Sequence, residues 1–87
     1  MNYTVVWTAD AERDLAAIWI EAADRKPITS AADTIDVLLR ENAQARGESR
    51  QGQLRIIFVS PLGVDFEVID DDRLVRVLTV WLSKRGP

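Results

Sequence analysis

At about Leu54 the apolar residues of this chain change their spacing, and that change constrains the fold more than any other feature. Before it they recur at steps of three and four, the period of an amphipathic helix; after it they recur at two, the period of a strand. Upstream, Ala11, Leu15, Ile18, Trp19 and Ala22 form one stripe and predict a helix over residues 9–24. Thr8 is placed to cap it, with Asp10 and Glu12 in the first turn, where negative charge suits the helix dipole. Asp24-Arg25-Lys26-Pro27 interrupts the pattern, because proline lacks an N–H and biases the residue before it away from helix. Ile28, Ala32, Ile35, Leu38, Leu39 and Ala43 then form a second stripe, with Ser30 and Asp33 resembling a capping box and Gly47 as a stop. The short link predicts an antiparallel helical hairpin, and the alanines at 16, 22, 23, 31 and 32 permit close approach.

Downstream, Leu54, Ile56 and Phe58 alternate with Arg55, Ile57 and Val59. Ser60-Pro61-Leu62-Gly63 fits a type I turn with proline second and glycine fourth. Val64, Phe66 and Val68 alternate with Asp65 and Glu67, which predicts a strand buried on one side. Asp70-Asp71-Asp72 makes the next turn. Residues 74–82 are apolar almost throughout, as a strand in the middle of a sheet would be. A β-branched and aromatic run at 3–7 adds a strand before the helices. The expected fold is α+β in the order β-α-α-β-β-β, one domain over 1–87, with the helical hairpin packed on one face of a mainly antiparallel four-stranded sheet. Residues 44–53, polar with two glycines, are expected to be a loop that is mobile or faces a partner.

Composition removes whole classes of chemistry. The 87 residues include no cysteine and no histidine, which excludes disulfides, thiolate metal sites and any nucleophile activated by imidazole. No metal and no cofactor are expected. Acidic residues outnumber basic ones, 14 to 11, so no global positive field draws the chain to nucleic acid. No apolar run reaches the roughly 20 residues of a membrane span, and charges at Asp10, Glu12, Arg13 and Asp14 break any signal-peptide pattern. A cytoplasmic location is the expectation.

Three groups of residues invite a functional reading. The aspartates at 70–72 read as a solvated turn, since adjacent side chains point different ways. Asp65 and Glu67 share a strand face, but nothing in the sequence isolates one of them as a proton donor. Arginines are the main candidates: Arg50 and Arg55 flank the start of the second strand, Arg76 interrupts an apolar one, and Lys84 and Arg85 follow its end. Guanidinium groups grip phosphate or carboxylate bidentately. The competing reading is local pairing, with Arg76 and Glu67 as the expected cross-strand pair. Trp7, Trp19 and Trp81 read as core or interface aromatics, Trp81 being a candidate partner anchor.

The stretches "YTVVWTADAERDLAAIW", "GESRQGQLRIIFV" and "FEVIDDDRLVRVLTVW" together resemble the RelE/ParE superfamily of toxins from bacterial type II toxin–antitoxin modules. The resemblance covers nearly the whole chain. It implies a growth-inhibiting toxin, of the kind that stabilises plasmids, neutralised by a cognate antitoxin. The target would be DNA gyrase if the chain is ParE-like, or mRNA cut on the ribosome if it is RelE-like. The alternative is a non-toxic, catalytically degenerate binding module, and a homodimer is left open. By resemblance, a nuclease would use Arg55, Lys84 and Arg85 as its catalytic set, and a partner would meet Arg50, Arg55, Arg76 and Trp81. The match is incomplete: Ile57 stands where a second basic residue is expected, Gly63 or Val64 where an arginine often opens the third strand, and no tyrosine follows Arg85.

Overall fold

The computed structural model describes residues 2–50 and 52–83. Its elements run β1 (Thr4–Trp7), α1 (Ala9–Glu21), α2 (Lys26–Asn42), β2 (Glu48–Ser49), β3 (Leu54–Val59), β4 (Leu62–Ile69) and β5 (Leu74–Leu82). The strands form one sheet in the order β1-β5-β4-β3-β2. β1 runs parallel to β5, and every other pair is antiparallel. The expected α+β order holds, with five strands rather than four. The extra one, β2, lies in the segment expected to be a loop, where Glu48 pairs with Ile56 and Ser49 with Arg55. Gly47 turns the chain into it at φ +68°, and a Cβ there would fall 2.2 Å from the Ile56 carbonyl oxygen. Only glycine fits that turn.

Both helix ends differ from the sequence reading for local reasons. Thr8 caps α1 as expected, its Oγ1 accepting from the Ala11 N–H at 3.2 Å. The helix stops at Glu21, short of 24. Arg25 folds back so that its guanidinium donates to the carbonyls of Trp19 (2.9 Å) and Ile20 (3.4 Å). Those carbonyls belong to the last turn, where i+4 partners run out, and the Ala22 N–H reaches the Trp19 carbonyl only at 3.4 Å. α2 begins at Lys26, ahead of the expected box at Ser30 and Asp33, with Pro27 in its first turn. Proline opens this helix instead of preceding it, because its missing N–H is lost where no intrahelical acceptor exists.

One sheet face carries the dry layer. Leu62, Val64, Phe66 and Val68 of β4 and Val75, Val77 and Val80 of β5 pack with Ala11 of α1 and Ile28, Ala31, Ile35 and Leu39 of α2. β5 sits between β1 and β4, as its two-sided apolar sequence predicts. Asp65 pairs with Thr79 and Phe66 with Val77, so Leu78 is an extra residue in β5, a bulge. The N-terminal end of α1 satisfies the backbone around it. Thr8 donates to the Val77 carbonyl from both N–H (3.1 Å) and hydroxyl (2.8 Å), and the Asp14 carboxylate accepts from the Val80 N–H at 3.1 Å. The β3–β4 connection is tighter than a type I turn over 60–63. Val59 pairs with Leu62, leaving Ser60-Pro61 as a two-residue loop with a cis peptide bond. Proline therefore occupies the third turn position, where it sits in cis.

Candidate functional site

Two surfaces are left uncovered by this arrangement. The first lies on the outer side of the helices. α1 and α2 part to leave an apolar groove of about 560 Å³. Leu15, Ala16, Trp19 and Ile20 form one wall, and Ile28, Thr29 and Ala32 the other. It continues toward β1 past Trp7, Asp36 and Val37. Trp19 is 42% exposed and Ile20 64% exposed. Trp19 is thus a surface aromatic, contrary to a core placement, and the Arg25 guanidinium lies 4.1 Å from the centre of its ring. Glu12 and Asp33 stand on the groove, one from each helix, and neither has an ion-pair partner among the described residues. Asp36 is engaged by Arg40 and accepts from the Trp7 indole N–H at 3.2 Å. The sequence carried one signal of this groove: Ile20 and Val37 are apolar at positions outside both stripes.

The second surface is the sheet face opposite the helices. Gly63 pairs with Phe58 on one side and Trp81 on the other. Trp81 lies over Gly63, where a Cβ would fall 2.7 Å from the indole, and meets Phe58 edge-on with ring centres 6.2 Å apart. Gly63 is thus a seat for an aromatic ring rather than the end of a turn. Beside it Thr79 donates to Asp65, and Arg76 pairs with Glu67 at 2.8 Å, the expected cross-strand pair.

Among the described residues, the arginines singled out by sequence do not gather. The register places Arg55 opposite Phe66, hence on the helix side of the sheet. There its guanidinium donates to the carbonyls of Arg46 (2.7 Å) and Gly47 (3.0 Å), holding the turn that leads into β2. Arg76 lies on the opposite face, bound to Glu67. Arg50 follows β2, exposed, with Glu48 at 3.4 Å. Lys84 and Arg85 lie outside the described residues.

Tyr3 belongs to the scaffold. It is buried, and its hydroxyl donates to Asp70 at 2.6 Å, tying the start of β1 to the turn before β5. That hydrogen bond, then burial, then the Asp70 charge push the phenol above its ordinary pKa, while Arg73 pulls the other way. The aspartate turn thus has one member committed to structure. Among the described residues no group of three or more carboxylates is placed to hold a metal.

The helical hairpin on one face of a small sheet, with the first strand parallel to the last, is a fold this chain shares with solved RelE and ParE toxin–antitoxin structures. Among solved structures, the RelBE2 toxin–antitoxin complex of Mycobacterium tuberculosis superposes with a TM-score of 0.79 at 16% identity, covering 98% of this chain and 95% of that one. A chromosomal ParDE system from Pseudomonas aeruginosa gives a TM-score of 0.67 at 21% identity over 94% and 97%. The fold also occurs inside a larger protein: TrmO of Pseudomonas aeruginosa matches with a TM-score of 0.63 at 21% identity, over 92% of this chain and 35% of that one. No protein-family model matches the sequence, and no curated protein matches it. At these identities the likeness is one of fold.

Proposed function

We propose that this chain is the toxin of a type II toxin–antitoxin module, held inactive when a segment of a cognate antitoxin occupies the groove between α1 and α2. The observation that carries the reading is near-complete coverage in both directions, 98% and 95%, between this chain and one chain of a toxin–antitoxin complex. The groove supports it with a surface of the right kind, an apolar channel between two helices that an amphipathic segment can fill. Its target would be DNA gyrase or mRNA on the ribosome, and the first is the reading put to the test by expression below. Cutting RNA without a histidine depends on cations converging on the transferring phosphate, and Arg55, the one member of the expected catalytic set among the described residues, donates instead to the carbonyls of Arg46 and Gly47. The same observation favours the second reading, a non-toxic binding module.

Inducible expression in a bacterial host separates these readings. Growth arrest with loss of gyrase supercoiling activity in extracts, relieved by co-expressing the neighbouring reading frame, is the expected result. Ribosome-dependent mRNA fragments would replace gyrase by the ribosome as target. Normal growth with folded protein accumulating would leave the binding module.

A further inference from the structure

We infer that the segment filling the α1/α2 groove is an amphipathic helix that places a lysine or arginine between Glu12 and Asp33. The inference rests on the reading of this groove as the antitoxin's site and adds the chemistry of the occupant. From Ala9 to Asn42 eight acidic residues face four basic ones. Three of those four are already engaged: Arg13 by Asp10, Arg40 by Asp36, and Arg25 by the ring of Trp19 and the carbonyls beside it. The groove therefore presents an apolar floor with two carboxylates, one on each wall, that make no ion pair among the described residues, while Arg25 and Lys26 line the adjoining pocket on the Asp33 side.

Charge selects among occupants of such a floor. A second copy of this chain would bring α1, with Asp10, Glu12, Asp14 and Glu21 against Arg13 alone, onto an already acidic rim. An anionic lipid surface or a nucleic acid would meet the same repulsion. A protein helix with apolar residues at i, i+3, i+4 and i+7 fills the floor, and a basic side chain on its flank faces the groove that Glu12 and Asp33 line together. The α1 wall is 13 residues long, which spans about 20 Å and suits a partner helix of three to four turns.

The test uses the purified full chain and a displayed library of helical peptides. Apolar residues are fixed at i, i+3, i+4 and i+7, and the flanking positions vary among Lys, Arg, Glu and Gln. Selected peptides are expected to carry Lys or Arg at one flanking position. Their affinity should fall roughly two- to fivefold in Glu12→Gln and in Asp33→Asn, and several-fold between about 50 mM and 500 mM salt. Both substitutions remove exposed charge only, and an unchanged unfolding midpoint confirms that the fold is intact. Acidic or charge-indifferent winners, winners unaffected by either substitution, or a groove-dependent homodimer of the free chain would each overturn the inference. Its failure is separable from that of the toxin reading. Growth arrest with acidic winners overturns only the charge inference, and basic winners without growth arrest overturn only the toxin.

Discussion

At the scale of single residues, contacts of two kinds can be told apart by substitution. Tyr3→Phe removes the hydroxyl bonded to Asp70 and should cost about 1–1.5 kcal/mol at pH 7 in urea unfolding. The folded-state phenol titrates above its ordinary value. Its contribution is therefore complete below about pH 10, the unfolded value, and is lost as pH rises through the higher folded one. The gap between wild type and Tyr3→Phe should narrow only in strong alkali. Gly63→Ala is a different case. The added methyl meets the edge of an indole, which can swing away, whereas at Gly47 it would meet backbone. Release of Trp81 forfeits its contact with Phe58, about 0.5–1.5 kcal/mol, and lower chain entropy in the unfolded state offsets roughly half. The expected outcome for Gly63→Ala is a stability loss below about 1 kcal/mol with a clear red shift of tryptophan emission.

At the scale of elements, the joints matter more than the elements themselves. α1 is fastened to β5 at the Leu78 bulge through Thr8 and Asp14. Asp14→Ala should cost about 1.5–3 kcal/mol, since it strips a charged acceptor from the Val80 N–H. Hydrogen exchange should rise first at that amide. Arg55 fastens β2 in the same way, so Arg55→Ala should raise exchange at 46–50, and Arg55→Lys, which lacks the fork, should not restore it. These joints mark the limit of what could be read from the chain beforehand. Helix stripes, the Thr8 cap, the central β5 and the Arg76–Glu67 pair all follow from local period and charge, and they were legible. β2 was not, because Glu48 and Ser49 have no alternation of their own and are ordered by pairing with β3. The bulge was not, because one extra residue in an apolar run leaves the run apolar. For Arg55 the sequence leaves a gripping role and local pairing both open, because its acceptors, the carbonyls of Arg46 and Gly47, carry no sequence signal. Period gives direction but not depth, so Trp19 was placed on the correct helix face without its exposure.

At the scale of the whole molecule, apolar residues serve two distinct ends. Val77 is fully buried between sheet and helices, and Val77→Ala should cost about 2 kcal/mol. Ile20 is mostly exposed in the groove, and Ile20→Gln should leave unfolding free energy within about 0.5 kcal/mol while weakening whatever fills that channel. Equal losses for the two would mean that Ile20 serves the fold and not a partner. The parallel pairing of β1 with β5 has a last consequence. The earliest strand to leave the ribosome finds its neighbour only after residues 74–77 have followed it out. Until then the valines of β1 have no edge to join, and closure waits on the most distant contact in the sheet. A chain broken off before that point leaves β1 without its partner strand and the sheet unclosed on that side.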